Sequence, residues 1–192
     1  MVSSGKNENM KYFQKIAQNV NVNRLMHEIQ RQPELWDENT LRTKHPGTAH
    51  SQVSDIWVWF NDTLLRQTDK EYITNDKEVI SYRAWKLLPS LRPIIFDLMH
   101  IVQAVRLGRV IITKLPPGKE IMPHVDGGAP ATYFQRYQLA MQCLPGNVFR
   151  IGDEEIGFQT GDIWHINNRV EHSVINNSND DRIVCIVDLR CE

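Results

Sequence analysis

Cysteine is scarce and unpatterned: Cys143, Cys185 and Cys191 are the only three in 192 residues. An odd count without paired spacing argues against a disulfide framework or a cysteine-based zinc site, and reads as free thiols in a reducing, cytoplasmic compartment. No stretch approaches the ~18 consecutive apolar residues of a membrane helix, so no membrane contact is expected. Residues 1–10 lack the apolar segment of a secretion signal. Charge of one sign is also missing. A net charge of −1 offers no electrostatic reason for nucleic acid or an anionic membrane as partner. There is no internal repeat and no low-complexity tract. What remains is a chain 41% hydrophobic and 23% charged, which suits one globular domain with a core of its own.

In order, residues 1–10 read as a loose tail and residues 11–192 as a single domain, helical and mixed over 11–108 and strand-rich over 109–192. Val22, Leu25, Met26 and Ile29 recur at helical spacing, and Pro33 ends that pattern. Residues 33–54 are polar and turn-rich, with Trp36, His45, Pro46, Gly47 and His50. The run from Ile56 to Phe60 is aromatic and β-branched and predicts a strand. Residues 61–82 form a polar excursion too long for a turn, either part of a substrate mouth or a solvated insertion. A helix is predicted from Pro93, with Ile94, Leu98, Ile101, Val102 and Val105 on one face and Gly108 as its stop. Short β segments follow at 110–113, 138–144, 148–151, 155–158, 162–166, 172–175 and 182–189, separated by turn residues such as Pro145-Gly146-Asn147. Many short strands behind a helical third predict an α+β fold, a double-stranded β-helix (jelly roll, cupin-like) supported by N-terminal helices.

The chemistry concentrates at Pro123-His124-Val125-Asp126-Gly127-Gly128. Side chains two apart in an extended chain share a face, so His124 and Asp126 can reach one ion. The pair alone is weak, because loops use His and Asp for turns as well. A third ligand is available in His172 or His165. We favour His172, because its strand could form a hairpin with the strand headed by Arg182 and so bring ligand and cation into one wall. His165 is then a substrate-side residue or a hydrogen-bonded core histidine. Two imidazoles and a carboxylate make the facial triad of non-heme Fe(II) oxygenases. Arg182 opens the apolar run Ile183-Val184-Cys185-Ile186-Val187. A cation entering such a strand calls for a buried anion, and guanidinium grips a carboxylate with two parallel hydrogen bonds.

From Arg109 to Arg190 the chain resembles the aspartyl/asparaginyl β-hydroxylase-like Fe(II)/2-oxoglutarate oxygenases, and their bacterial branch that hydroxylates free proline in particular. The matching text is Thr113-Lys114-Leu115-Pro116-Pro117-Gly118, Pro123-His124-Val125-Asp126, Arg136, Gly161-Asp162-Ile163-Trp164-His165-Ile166-Asn167-Asn168, Glu171-His172, and Arg182 through Asp188. The resemblance implies Fe(II) on His124, Asp126 and His172. It implies Arg182 on the distal carboxylate of 2-oxoglutarate with Thr113 nearby, and Arg136 and Gln138 at the keto-acid end. Trp164 and Asn167 become substrate-side candidates beside His165, though packing alone also accounts for Trp164. The implied reaction consumes O₂ and 2-oxoglutarate, releases succinate and CO₂, and hydroxylates an amino acid, free or in a peptide or protein. Animal members carry glycine where Asp126 stands, so this chain looks closer to the bacterial branch. Two other classes are a cupin-like zinc or other divalent-metal hydrolase or isomerase, and a non-catalytic jelly-roll binding module. The arginine pair disfavours the first and the intact triad the second.

Overall fold

A computed structural model describes residues 10–62 and 77–192. The expected tail at 1–9 and the centre of the 61–82 excursion, residues 63–76, lie outside the described residues.

Strand β11 (Arg182–Cys191) shows how the sequence builds this molecule. Its side chains alternate across the sheet. Ile183, Cys185, Val187 and Leu189 enter one apolar cluster, while Val184 and Ile186 enter another. Both faces are covered, so the strand reads as an unbroken hydrophobic run. It is flanked by β4 (Ala104–Leu115) and β6 (Gln135–Gln142), both antiparallel to it. The sheet continues on one side through β9 (Ile163–Ile166) to β1 (Phe13–Ala17), and on the other through β2 (Ser54–Phe60) to β3 (Ile80–Ser81). A second sheet of four strands has the order β5 (Glu120–His124), β10 (His172–Asn176), β7 (Asn147–Ile151), β8 (Glu154–Ile156). The two sheets form the double-stranded β-helix. Three of its strands, β1 to β3, come from the segment before residue 109.

Helices cover the outer face of the larger sheet. Helix α1 (Asn23–Gln30) buries Leu25 and Ile29 there. The short α2 (Leu41–Lys44) and α3 (Arg83–Leu87) flank β2 in the chain. Helix α4 (Leu91–Ile101) adds Leu91, Ile95 and Leu98, and each such side chain contributes roughly 1.5–3 kcal/mol by burial. Between the sheets lies the second cluster, with Trp57, Phe149, Phe158, Trp164, Val184 and Ile186. Cys143, Cys185 and Cys191 are all free. Among the described residues no helix is long and apolar enough to cross a membrane.

Two expectations are corrected. Helix α4 ends at Ile101, so Val105 and Gly108 belong to β4. The break is made by Gln103, whose φ of 55° lies in the left-handed region. Gly108 has a packing role: a Cβ there would come within 2.8 Å of the Phe134 ring and 3.0 Å of the Asp188 carbonyl. The hairpin between the His172 and Arg182 strands does not form. Strand β10 pairs with β5 and β7, and β11 with β4 and β6. The connection crosses between sheets. The Asn176 amide holds that corner by donating to the carbonyls of Leu115 (2.9 Å) and Asp180 (2.8 Å).

Candidate metal centre

His124 closes β5 and His172 opens β10, directly opposite each other in register. Their ring centroids are 4.2 Å apart. Asp126 follows two residues beyond His124. One ligand atom from each of the three lies within 4.8 Å of the other two. Both imidazoles are oriented in the same way. His124 Nδ1 is 2.7 Å from the Met122 carbonyl and His172 Nδ1 2.9 Å from the Val170 carbonyl. A carbonyl can only accept, so each Nδ1 carries the proton and each Nε2 lone pair is free for a metal. Burial lowers His172 to about 4, against the pull of Asp126, which keeps the ring neutral at physiological pH.

Asp126 is oriented too. Its Oδ2 accepts from the Asn168 side chain at 2.9 Å and from Arg136 Nη1, and its backbone N–H donates to the Asn168 carbonyl at 3.1 Å. Oδ1 is the oxygen turned toward His124 Nε2, 3.6 Å away. Burial would raise this carboxyl, but the Arg136 charge prevails and holds it below the ordinary range. Arg136 in turn donates from Nε and Nη2 to the two oxygens of Asp188, at 2.8 and 3.0 Å. The two are cross-strand neighbours on β6 and β11. Two carboxylates therefore already face this guanidinium, which is more anionic company than the sequence implied.

Arg182 is the opposite case. It is 1% exposed, and its Nε and Nη2 have no hydrogen-bond partner among the described residues. Its guanidinium sits over the rings of Phe158 (5.1 Å) and Phe149 (5.7 Å), and Phe149 also lies 6.0 Å from the His172 ring. Burial lowers the Arg182 pKa. A cation this desolvated is costly without an anion. Gln138 Oε1, on the inner face of β6, is likewise buried without a partner among the described residues. The Thr113 hydroxyl, on β4, donates to Asp55 Oδ1 at 2.8 Å. A carboxylate-and-imidazole donor set with a free guanidinium behind it fits Fe(II) with a dianionic keto acid.

The structure does not bring every candidate to the triad. Trp164, His165 and Asn167 border a cleft of about 490 Å³ beside β1. Trp164 packs inward on Phe13 and Phe158. His165, one residue on, rests against Tyr137 on the other face, 5.3 Å between ring centroids. Conversely, residues that sequence reasoning missed do reach the site. His50 meets His124 edge-on at 4.7 Å, and burial, then Arg42 and His124, push its pKa well below 6.5. Arg42 and Arg109 border the same region. His50 had been visible only as part of a turn-rich stretch. Asp188 did carry a signal: an acid in an apolar strand, six residues on from Arg182 and so on the same face.

The sequence pattern of the aspartyl/asparaginyl beta-hydroxylase family matches residues 19–191. No curated protein matches the chain. Similar solved structures include a Trichoplax adhaerens prolyl hydroxylase in complex with a hypoxia inducible factor peptide (9% identity, 93% of this chain and 83% of that one, TM-score 0.55). A viral collagen prolyl hydroxylase from Paramecium Bursaria Chlorella virus-1 is similar over 95% of this chain and 97% of that one (9% identity, TM-score 0.53). A Pseudomonas putida prolyl-4-hydroxylase is similar over 95% and 94% (12% identity, TM-score 0.52). At such identities the likeness speaks for the fold, and it is the match over nearly the whole sequence, together with the His–Asp–His site, that makes this chain a hydroxylase of the Fe(II)/2-oxoglutarate class and a member of the aspartyl/asparaginyl β-hydroxylase family.

Proposed function

We propose that this protein hydroxylates an amino acid, free or within a peptide, with O₂ and 2-oxoglutarate consumed and succinate and CO₂ released. When bound, Fe(II) with 2-oxoglutarate supplies the oxidising chemistry. The chain contributes position. His124 and His172 offer Nε2 because their Nδ1 protons are committed to backbone carbonyls. Asp126 offers Oδ1 because Asn168 and Arg136 occupy Oδ2. Arg182 receives the distal carboxylate of the cosubstrate, with Thr113 nearby on β4, and Arg136 and Gln138 stand toward the keto-acid end. Phe149 and Phe158 keep water from the Arg182 ion pair, which strengthens it. Three free thiols fit a cytoplasmic setting.

The observation that carries this reading is Arg182, a buried guanidinium without a partner among the described residues, behind a His–Asp–His triad. A zinc hydrolase on the same three ligands needs no such group. The test is succinate formation by protein reconstituted with Fe(II) without oxygen and then exposed to O₂ and 2-oxoglutarate. Arg182→Ala is expected to weaken 2-oxoglutarate binding by about 100-fold, the value of losing a charge-assisted bidentate pair, with metal content nearly intact. Loss of the metal from a folded Arg182→Ala protein would show that the arginine serves the triad instead.

A further inference from the structure

Residues 33–54 carry no periodic signal in sequence, yet part of that stretch, residues 45–52, lies against the metal centre. The two imidazoles of the triad are held unequally. His172 sits on β10, which is paired on both sides, with β5 and β7. His124 ends β5, the outer strand of the four-stranded sheet. The pairing of β5 with β10 also slips just before it. His124 faces His172 while Ile121 faces Val174, so one extra residue is taken up at Met122-Pro123. Pro123 has no N–H to give to a ladder. The ladder is therefore interrupted at Met122, the residue whose carbonyl accepts from His124 Nδ1. Residues 45–52 supply bonds there instead. The Ala49 carbonyl accepts from the Met122 N–H at 3.1 Å, and Gln52 Oε1 from the Glu120 N–H at 3.4 Å.

We propose that residues 45–52 brace His124 and that His50 is a positioning residue of the metal centre: its ring, with the Ala49–Met122 hydrogen bond, keeps the His124 Nε2 lone pair aimed at the point shared with His172 and Asp126. This rests on the reading of those three as the iron ligands. Three observations carry it. The strand ladder fails at the place where the Ala49 carbonyl takes over. The His50 ring meets the His124 ring edge-on, with 4.7 Å between centroids and 76° between planes, a directional contact. The segment that carries His50 is itself fixed. Pro46 and Gly47 are the central residues of a turn closed by the Thr48 N–H on the His45 carbonyl at 3.2 Å, and Gly47 has the positive φ, 74°, that a type II turn asks of its third residue. Thr48 Oγ1 donates to the Arg42 carbonyl at 2.8 Å and accepts from the His50 N–H at 3.1 Å. An imidazole oriented before the ion arrives gives up less freedom on binding, which raises affinity.

The tests use the full-length protein. Without oxygen, Fe(II) is titrated by calorimetry and Co(II), a coloured stand-in for it, by visible absorption. Wild-type protein should bind either ion, and His172→Ala neither. His50→Ala should weaken both ions by about 10-fold or more, the size of effect expected when a group supporting a metal-binding histidine is lost, and should alter the Co(II) absorption band. His50→Phe keeps a ring at that edge and should recover most of the affinity and the wild-type band. Wild-type affinity and band in His50→Ala would overturn the brace, and so would a His50→Phe protein that binds as weakly as His50→Ala. If wild-type protein binds neither ion, or His172→Ala binds them unchanged, the triad reading falls, and the brace is then decided in metal-free protein by ¹⁵N imidazole spectra at mildly alkaline pH. There His124 should be the Nδ1–H tautomer in wild type and in His50→Phe, and a mixture of tautomers in His50→Ala. The same tautomer in all three would overturn the brace.

Discussion

The two faces of β11 were built for different purposes. On the helix side, Ile183, Cys185, Val187 and Leu189 belong to one mostly apolar cluster with the buried residues of α1 and α4. On the inner side, Val184 and Ile186 are bracketed by Arg182 at one end and Asp188 at the other, both buried. The unpartnered buried atoms divide in the same way. Among the described residues, Arg182 Nε and Nη2, Gln138 Oε1 and the indole nitrogens of Trp57 and Trp164 belong to the inner face, against Trp59 Nε1 on the helix side, while Asp162 Oδ2 is without a hydrogen bond but ion-paired with Lys15. Desolvated polar atoms without partners destabilise a fold. Their concentration on one face of a sheet whose other face is oil-like marks that face as shaped for a ligand. The contrast also separates Arg136 from Arg182. The first is engaged by two carboxylates of the chain; the second is buried, and its Nε and Nη2 have no hydrogen-bond partner among the described residues.

Substitutions can break this contrast at several strengths. The largest effect is expected at the triad: His172→Ala should leave Fe(II) binding undetectable by calorimetry, with β10 still paired to β5 and β7 by hydrogen exchange. Next, on the apolar face, Leu189→Ala should cost about 2–5 kcal/mol in urea unfolding while KM for 2-oxoglutarate stays constant. Unaltered stability there would mean that the helix face is not the main core. The pH dependence sharpens the inner face. Burial holds His172 at about 4 in the fold against an ordinary value of 6.5. Its contribution is therefore complete above pH 6.5 and is lost as pH falls toward 4, because the unfolded chain takes up the proton first. The loss should amount to about 3 kcal/mol in metal-free protein, and His172→Gln should flatten that slope. Smallest is Arg182→Met, which removes an unpaired buried charge while keeping most of the volume. It should stabilise the ligand-free protein by about 1–2 kcal/mol and still lose 2-oxoglutarate binding. A destabilised Arg182→Met protein would mean that the guanidinium has partners of its own.

Much of this was legible beforehand, for identifiable reasons. Short apolar, β-branched runs bounded by turn residues exposed the strands from β6 to β11, and β11, covered on both faces, showed as an unbroken hydrophobic run instead of an alternation. His124 and Asp126 were legible as a pair because their spacing is local. The hairpin between the His172 and Arg182 strands was wrong because a short connection does not reveal whether it joins two strands of one sheet or crosses between two. The helix stop placed at Gly108 failed for a related reason: the glycine answers to Phe134 and Asp188, which approach from elsewhere in the chain.

The sequence by itself determined the local terms. These are the strand and helix periods, the H-x-D spacing, the cation at the head of an apolar strand, and the absence of any disulfide pattern or membrane-length run. Only the tertiary structure decided which groups meet. It set His172 across from His124 through strand register, tied Asp188 to Arg136, left Arg182 Nε and Nη2 without a hydrogen-bond partner among the described residues, and brought Arg42 and His50 to the metal side from a segment with no periodic signal and Arg109 from the edge of a predicted strand. The physical reason is that side-chain direction follows from backbone geometry within a strand, whereas a contact between strands depends on register and sheet order, which are settled by burial over the whole chain.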